Sequence, residues 1–218
     1  MKKLLIVLLS VILFISCNKD ESEYVSNTLG GTTELPMNDV GNIFYTTIQI
    51  DGINYNTNGH VEVVKNDNGI ITLHINATLP TYLSNIFPTR IKDDKGNLDT
   101  EIKLKNTSEG IIDYTNMDDK PFLVVKYDAK VGDKYLLKKS DGKSLNRSVT
   151  KHSTKDDFEW KGGQYYYLKT VTVEQGDFGV PGIDKVVFNA NHKFGLVGFE
   201  IVMEDGTSIK IFLNSQNY

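Results

Sequence analysis

His60-Val61-Glu62-Val63-Val64-Lys65 and Ile70-Ile71-Thr72-Leu73-His74-Ile75-Asn76-Ala77 flank the turn Asp67-Asn68-Gly69. In both runs apolar and β-branched residues alternate with polar ones, the period of two that marks half-buried strands. A three-residue loop, Asp67 to Gly69, with Gly69 left-handed at a bulge, joins them as a hairpin. That loop sets Val61 against Ile75 and Val63 against Leu73, the register an apolar face selects. It also puts Glu62 opposite His74 with His60 beside them. A four-residue loop from Asn66 to Gly69 would instead send His60 and His74 to opposite faces.

The same pattern recurs outward along the chain: Ile43 to Ile50, Glu101 to Lys105, Pro121 to Tyr127, Lys134 to Lys138, Tyr165 to Val173, Asp184 to Asn189, Leu196 to Met203 and Ser208 to Leu213. Turn dipeptides such as Asp51-Gly52, Asp141-Gly142, Gly162-Gly163 and Asp205-Gly206 separate the runs and supply positive φ. The helical candidate is Thr81 to Phe87, short and bounded by Pro80 and Pro88. The expected fold is therefore all-β, an antiparallel meander forming a sandwich or a curved half-barrel. Without long helices there are no crossover connections, which argues against doubly wound nucleotide-binding folds.

Two constellations could carry function. His60, Glu62 and His74 on one outward face have the ligand types for zinc or another transition metal; the competing reading is a solvated strand surface with one Glu-His pair. With Gly162-Gly163 as a two-residue turn, Trp160 pairs with Tyr165 and Phe158 with Tyr167. These four rings line one face, which either grips a ligand or forms core, and Tyr166 is the more exposed residue of that hairpin. Trp160 and Tyr166 are the candidate ligand-binding residues. The acidic pairs Asp93-Asp94, Asp118-Asp119 and Asp156-Asp157 lack the spacing that wraps calcium. Ser148, Ser153 and Thr154 lack a nucleophile-elbow context, and no catalytic residue or cofactor is assigned.

The start of the chain reads as a leader: Met1-Lys2-Lys3, then 12 apolar or small residues from Leu4 to Ile15, then Ser16 and Cys17, the sole cysteine. That core suits a signal peptide and is shorter than the ~20 residues of a spanning helix. Phe14-Ile15-Ser16-Cys17 resembles the lipobox of bacterial lipoproteins, although Phe14 departs from the usual Leu. The resemblance implies cleavage before Cys17, acylation of Cys17 and a membrane anchor. Lys19-Asp20-Glu21-Ser22-Glu23 resembles the surface-export signal of Bacteroidota-type lipoproteins, implying the outer membrane and the cell surface. The tail from Asp184 to Leu213 resembles the closing hairpin of uncharacterised secreted β domains in such lipoproteins, with no activity attached. The expected organisation is a signal peptide at 1–16, lipidated Cys17 with a flexible Ser-, Asn-, Thr- and Gly-rich spacer at 17–42, and one β domain at 43–218.

Charge and cysteine usage narrow the function. The formal charge of −4 becomes −6 once Lys2 and Lys3 leave with the leader, so nucleic acid is not an expected partner. With Cys17 acylated there is no free thiol for catalysis or metal. The leading expectation is a non-catalytic lipoprotein that binds a glycan or a protein of an uptake or surface complex. One alternative is a carrier of lipid or another apolar ligand, which requires a continuous apolar cavity. The other is a hydrolase of cell wall or polysaccharide, which requires two carboxylates roughly 5–5.5 or 6.5–9.5 Å apart; Glu62, Glu159, Glu174 and Glu200 are its candidates.

Overall fold

The structure is a computed structural model that describes residues 24–55, 59–78, 81–85, 87, 89–116, 118–162, 166–176 and 180–217. The leader, Cys17 and the export-like segment lie outside these residues. Among the described residues sixteen strands occur in chain order: β1 Tyr24–Val25, β2 Ile43–Ile50, β3 Ile53–Tyr55, β4 His60–Asp67, β5 Ile70–Ala77, β6 Leu98–Thr107, β7 Gly110–Asp113 and β8 Phe122–Lys126, then β9 Lys134–Lys138, β10 Ser144–His152, β11 Phe158–Glu159, β12 Tyr167–Leu168, β13 Val171–Gly176, β14 Ile183–Asn191, β15 Gly195–Met203 and β16 Ser208–Ser215. One helical turn, α1 (Thr81–Ser84), falls where the short helix was expected.

The chain is all-β, as its alternation predicts, and nearly all its strands join one sheet. The sheet order is β1-β9-β10-β13-β14-β15-β16-β2-β4-β5-β6-β7-β8, with β3 paired to β2. It consists of two meanders, β2 to β8 and β9 to β16, joined where β16 pairs antiparallel with β2 from Ile209↔Ile50 to Ser215↔Phe44. Strands β8 and β9 are consecutive in the chain yet sit near opposite ends of this order. The short link between them therefore requires the sheet to roll until its ends approach, and β8 lies against β9, β10 and β13. Apolar residues from both meanders, among them Val63, Leu123, Val125, Tyr135 and Val173, fill the roll and are fully buried.

The hairpin β4–β5 keeps the expected register, with Val61↔Ile75, Glu62↔His74 and Val63↔Leu73. It reaches that register by another route. The turn is the two-residue Asn68-Gly69, with φ of 53° and 86°, a primed turn whose twist matches the strands. An irregularity between Val63 and Lys65 takes up the extra residue.

Residues 24–42 are not the expected free spacer. β1 pairs in parallel with β9, Tyr24↔Lys134. Asn27 then bridges the two ends of the sheet: its Nδ2 donates to the Leu136 carbonyl of β9 (2.7 Å), and its Oδ1 accepts from the Leu123 amide of β8 (3.0 Å). Two edges with unpaired backbone groups need such a cover. Further on, Asn38 and Asn42 are buried. The Asn38 amide donates to the Thr33 and Asn106 carbonyls, and that of Asn42 to the Met37 carbonyl and Ser215 Oγ. Polar composition here supplies side-chain bonds that tie irregular backbone to the sheet, and composition alone does not distinguish that from a tether.

Strand β10 was not legible in the sequence because its core-facing residues are Leu145, Arg147 and Val149. A charge in the inward row broke the apolar period. Arg147 is 4 % exposed and is matched on all sides. Its Nε donates to Gln175 Oε1 (2.8 Å), Nη1 to the carbonyls of Phe122 and Leu123, and Nη2 to Asp113 (3.0 Å). Its guanidinium also lies 3.9 Å from the Phe122 ring centre. Burial works against its charge, and Asp113 offsets that. The group links β10 and β13 to β7 and β8, across the line where the rolled sheet meets itself.

Candidate functional site

Alternation in β2, β5, β6, β15 and β16 sends one row of each strand into the roll. Between these rows lies a cavity of about 130 Å³ whose walls are almost wholly aliphatic and aromatic, including Phe44, Leu73, Ile102, Phe199 and Ile211. Several inward residues, Ile75, Ile102, Phe199, Ile211 and Leu213, are only half-buried, because they face this space rather than one another. Met37, itself buried, forms one end of the lining, and Phe87, on the β5–β6 connection, is another of its walls.

The Met37 end is held by amides. Asn106 Nδ2 donates to Asn38 Oδ1 (3.2 Å), and the Tyr127 hydroxyl donates to Asn106 Oδ1 (3.4 Å). Burial raises the Tyr127 phenol far above its ordinary value. Tyr135, whose oxygen accepts from the Lys126 amide, is pushed up to about 12 by the same cause. Both phenols are neutral at physiological pH. The polar residues on the lining are Thr46, His60, Asn76 and Asn106. The arrangement can exclude water from an apolar group and hold it by contact area.

The residues singled out in the sequence lie elsewhere or take other roles. Trp160 is 2 % exposed and belongs to a cluster with Leu168, Phe194, Val197 and Phe212. Its ring lies 5.0 Å from that of Phe194, and its Nε1 donates to the Leu213 carbonyl. This corrects the expectation that it faces a ligand: it fastens the small hairpin β11–β12 to the sheet. Gly198 permits that docking, since a Cβ there would stand 3.0 Å from the Ile211 carbonyl oxygen and 3.6 Å from the Phe158 ring.

The hairpin register is also displaced by one residue, with Phe158↔Leu168 and Glu159↔Tyr167. Leu168 is thereby buried where Tyr167 was expected. Tyr167 is exposed, and Tyr166, 85 % exposed, stands free of the core as expected. Tyr165 lies outside the described residues.

His60, Glu62 and His74 do not converge: His60 borders the cavity, whereas Glu62 and His74 are not on its lining. His74 Nε2 lies 2.7 Å from Asp99 Oδ1 on β6, and no group of three or more ligating side chains is gathered among the described residues. The cross-strand register was read correctly, but His74 turns to the neighbouring strand, whose pairing the hairpin alone could not reveal. Three of the four glutamates considered for hydrolysis are engaged: Glu159 with Lys161, Glu174 with Lys185 at 2.8 Å, and Glu200 accepting from Ser208 Oγ.

Most of the apolar walls were readable as residues of expected strands, whereas Met37, Phe87, Leu98 and Ile111 lie outside the strands that the alternation marked. What the sequence lacked was any mark separating those that pack together from those that leave space. Neither a protein-family model, nor a curated protein, nor a solved structure matches this chain.

Proposed function

We propose that this chain is a lipoprotein, anchored through acylated Cys17 at the outer membrane and exposed on the cell surface, whose rolled sheet binds an apolar molecule. The cavity is the observation that carries this reading. Side chains leave about 130 Å³ unfilled between apolar walls. A space of that size is comparable with the engineered apolar cavity of about 150 Å³ that takes benzene. A benzene-sized group, or several methylenes of an acyl chain at about 0.8 kcal/mol each, would gain by burial there. The leader, the lipobox-like Phe14-Ile15-Ser16-Cys17 and the acidic residues after it support the anchor and the surface location. A glycan-binding surface is less well supported, since of the two aromatic residues assigned to it Trp160 is enclosed and Tyr166 alone is open.

The test is a fluorescence titration of residues 24–218 with cis-parinaric acid, alongside a variant carrying Ile102→Phe and Ile211→Phe, both on the cavity lining. The expected result is saturable binding that the filled variant loses while unfolding as cooperatively as the parent. No saturable binding, or equal binding by the filled variant, contradicts the reading.

A further inference from the structure

We infer that the corner formed by Tyr24 and the Lys130–Asp133 turn is a second membrane contact, a surface that lies on anionic lipid beside the anchor. The inference rests on the reading of Cys17 as acylated. Parallel pairing of β1 with β9 fixes the direction of entry: Tyr24 is level with Lys134, so the chain comes in from the side of the turn that precedes β9. Seven peptide steps separate Cys17 from Tyr24, at most about 25 Å when fully extended. Because residues 24–42 are folded against the sheet, the longer reach of a 17–42 spacer does not exist. An acylated Cys17 would therefore hold this corner near the bilayer.

The corner has the chemistry for that position. Val131, at the tip of the turn, is 63 % exposed and Tyr24 is 45 % exposed, an aliphatic group beside an aromatic ring suited to a membrane interface. Lys130 and Lys134 flank them, both exposed, and neither has an ion-pair partner among the described residues. Of the neighbouring acids, Asp133 is turned inward to the Lys130 amide (2.8 Å), and Asp128 lies by Lys126. Asp20, Glu21 and Glu23 stand between the anchor and Tyr24, so the match to an anionic lipid surface is local, carried by Lys130 and Lys134 beside the exposed apolar groups. The turn itself is rigidly placed, because Gly132 N donates to the Val149 carbonyl and Val149 N to that of Asp133.

The test uses the acylated chain with Val131→Cys, whose thiol is the only free one when Cys17 is acylated. It is labelled with a polarity-sensitive fluorophore and reconstituted on vesicles of equal parts phosphatidylcholine and phosphatidylglycerol. Asp141→Cys, on an exposed turn at the other end of β9, is the reference. The expected result is a blue shift at position 131, none at 141, and loss of the shift when Lys130 and Lys134 are both changed to Glu. A chain that floats with the vesicles while both labels remain in water overturns the contact and leaves the anchor standing. A chain that does not float overturns the anchor and the contact together.

Discussion

Replacing Arg147 with Met tests whether the roll is held at its seam by one buried cation. The substitution keeps most of the side-chain volume and removes four hydrogen bonds: to Gln175 Oε1, the Phe122 and Leu123 carbonyls, and Asp113. It leaves the Asp113 carboxylate, whose side chain is only 19 % exposed, without its 3.0 Å partner. Breaking a buried pair from one side costs about 3–5 kcal/mol, chiefly because the remaining charge and acceptors are stranded. The contact with the Phe122 ring is lost as well. Urea unfolding of residues 24–218, followed by the emission of Trp160, measures the change. The expected result is a loss of about 4 kcal/mol, with part regained when Asp113→Leu is added, since that removes the stranded charge. A loss below about 1 kcal/mol, or a double variant no more stable than Arg147→Met alone, would show that the buried cation does not hold the seam.

The other predictions concern the seam, the hairpin and acid. Asn27→Leu removes both bonds that bridge β8 and β9, and at about 1 kcal/mol net for each it should destabilise the chain by about 2 kcal/mol; hydrogen exchange should quicken at the Leu123 amide before it does at Val173. Trp160 should resist acrylamide quenching in the folded chain, and Tyr166→Ala should shift stability by less than about 0.5 kcal/mol, as for an exposed side chain; strong quenching would place the indole outside the core. Asp118 is held below its ordinary pKa chiefly by the Ser140 hydroxyl, and Asp157 by that of Ser153. Each contributes stability that is present above the ordinary carboxylate value of about 4 and is lost as pH falls through the depressed one. A stability curve against pH should therefore fall in acid, and Asp118→Asn should flatten that limb.

The strands that alternate cleanly were legible, Ile43 to Ile50 and Lys134 to Lys138 to the residue. Those that were missed carry physical reasons. β10 hides a buried Arg147, which reads as a surface residue until Asp113 and Gln175 are brought to it from distant strands. Tyr24 to Asn42 hides buried amides, whose composition matches that of a solvated tether. The β11–β12 hairpin was set one residue out of register because Gly162-Gly163 suggested a tight turn, whereas the bond from the Trp160 amide to the Tyr166 carbonyl closes a longer loop. The register that sets Glu62 opposite His74 was legible, but the partner His74 takes was not, since Asp99 arrives from a strand and lies twenty-five residues downstream of His74. The cavity could not be read at all. Ile102 and Ile211 alternate as any packed residues do, and the gap between them depends on how far two halves of one sheet roll toward each other.

The most direct test of the apolar site is a titration of methyl-labelled residues 24–218 with dodecanoate, followed by NMR. Saturable shifts are expected at Leu73, Ile75, Ile102 and Ile211, with cross-peaks between those methyls and the methylenes of the ligand, and no response at Val197 in the cluster around Trp160. Shifts confined to the outer surface, or none at the cavity methyls, would contradict the apolar site.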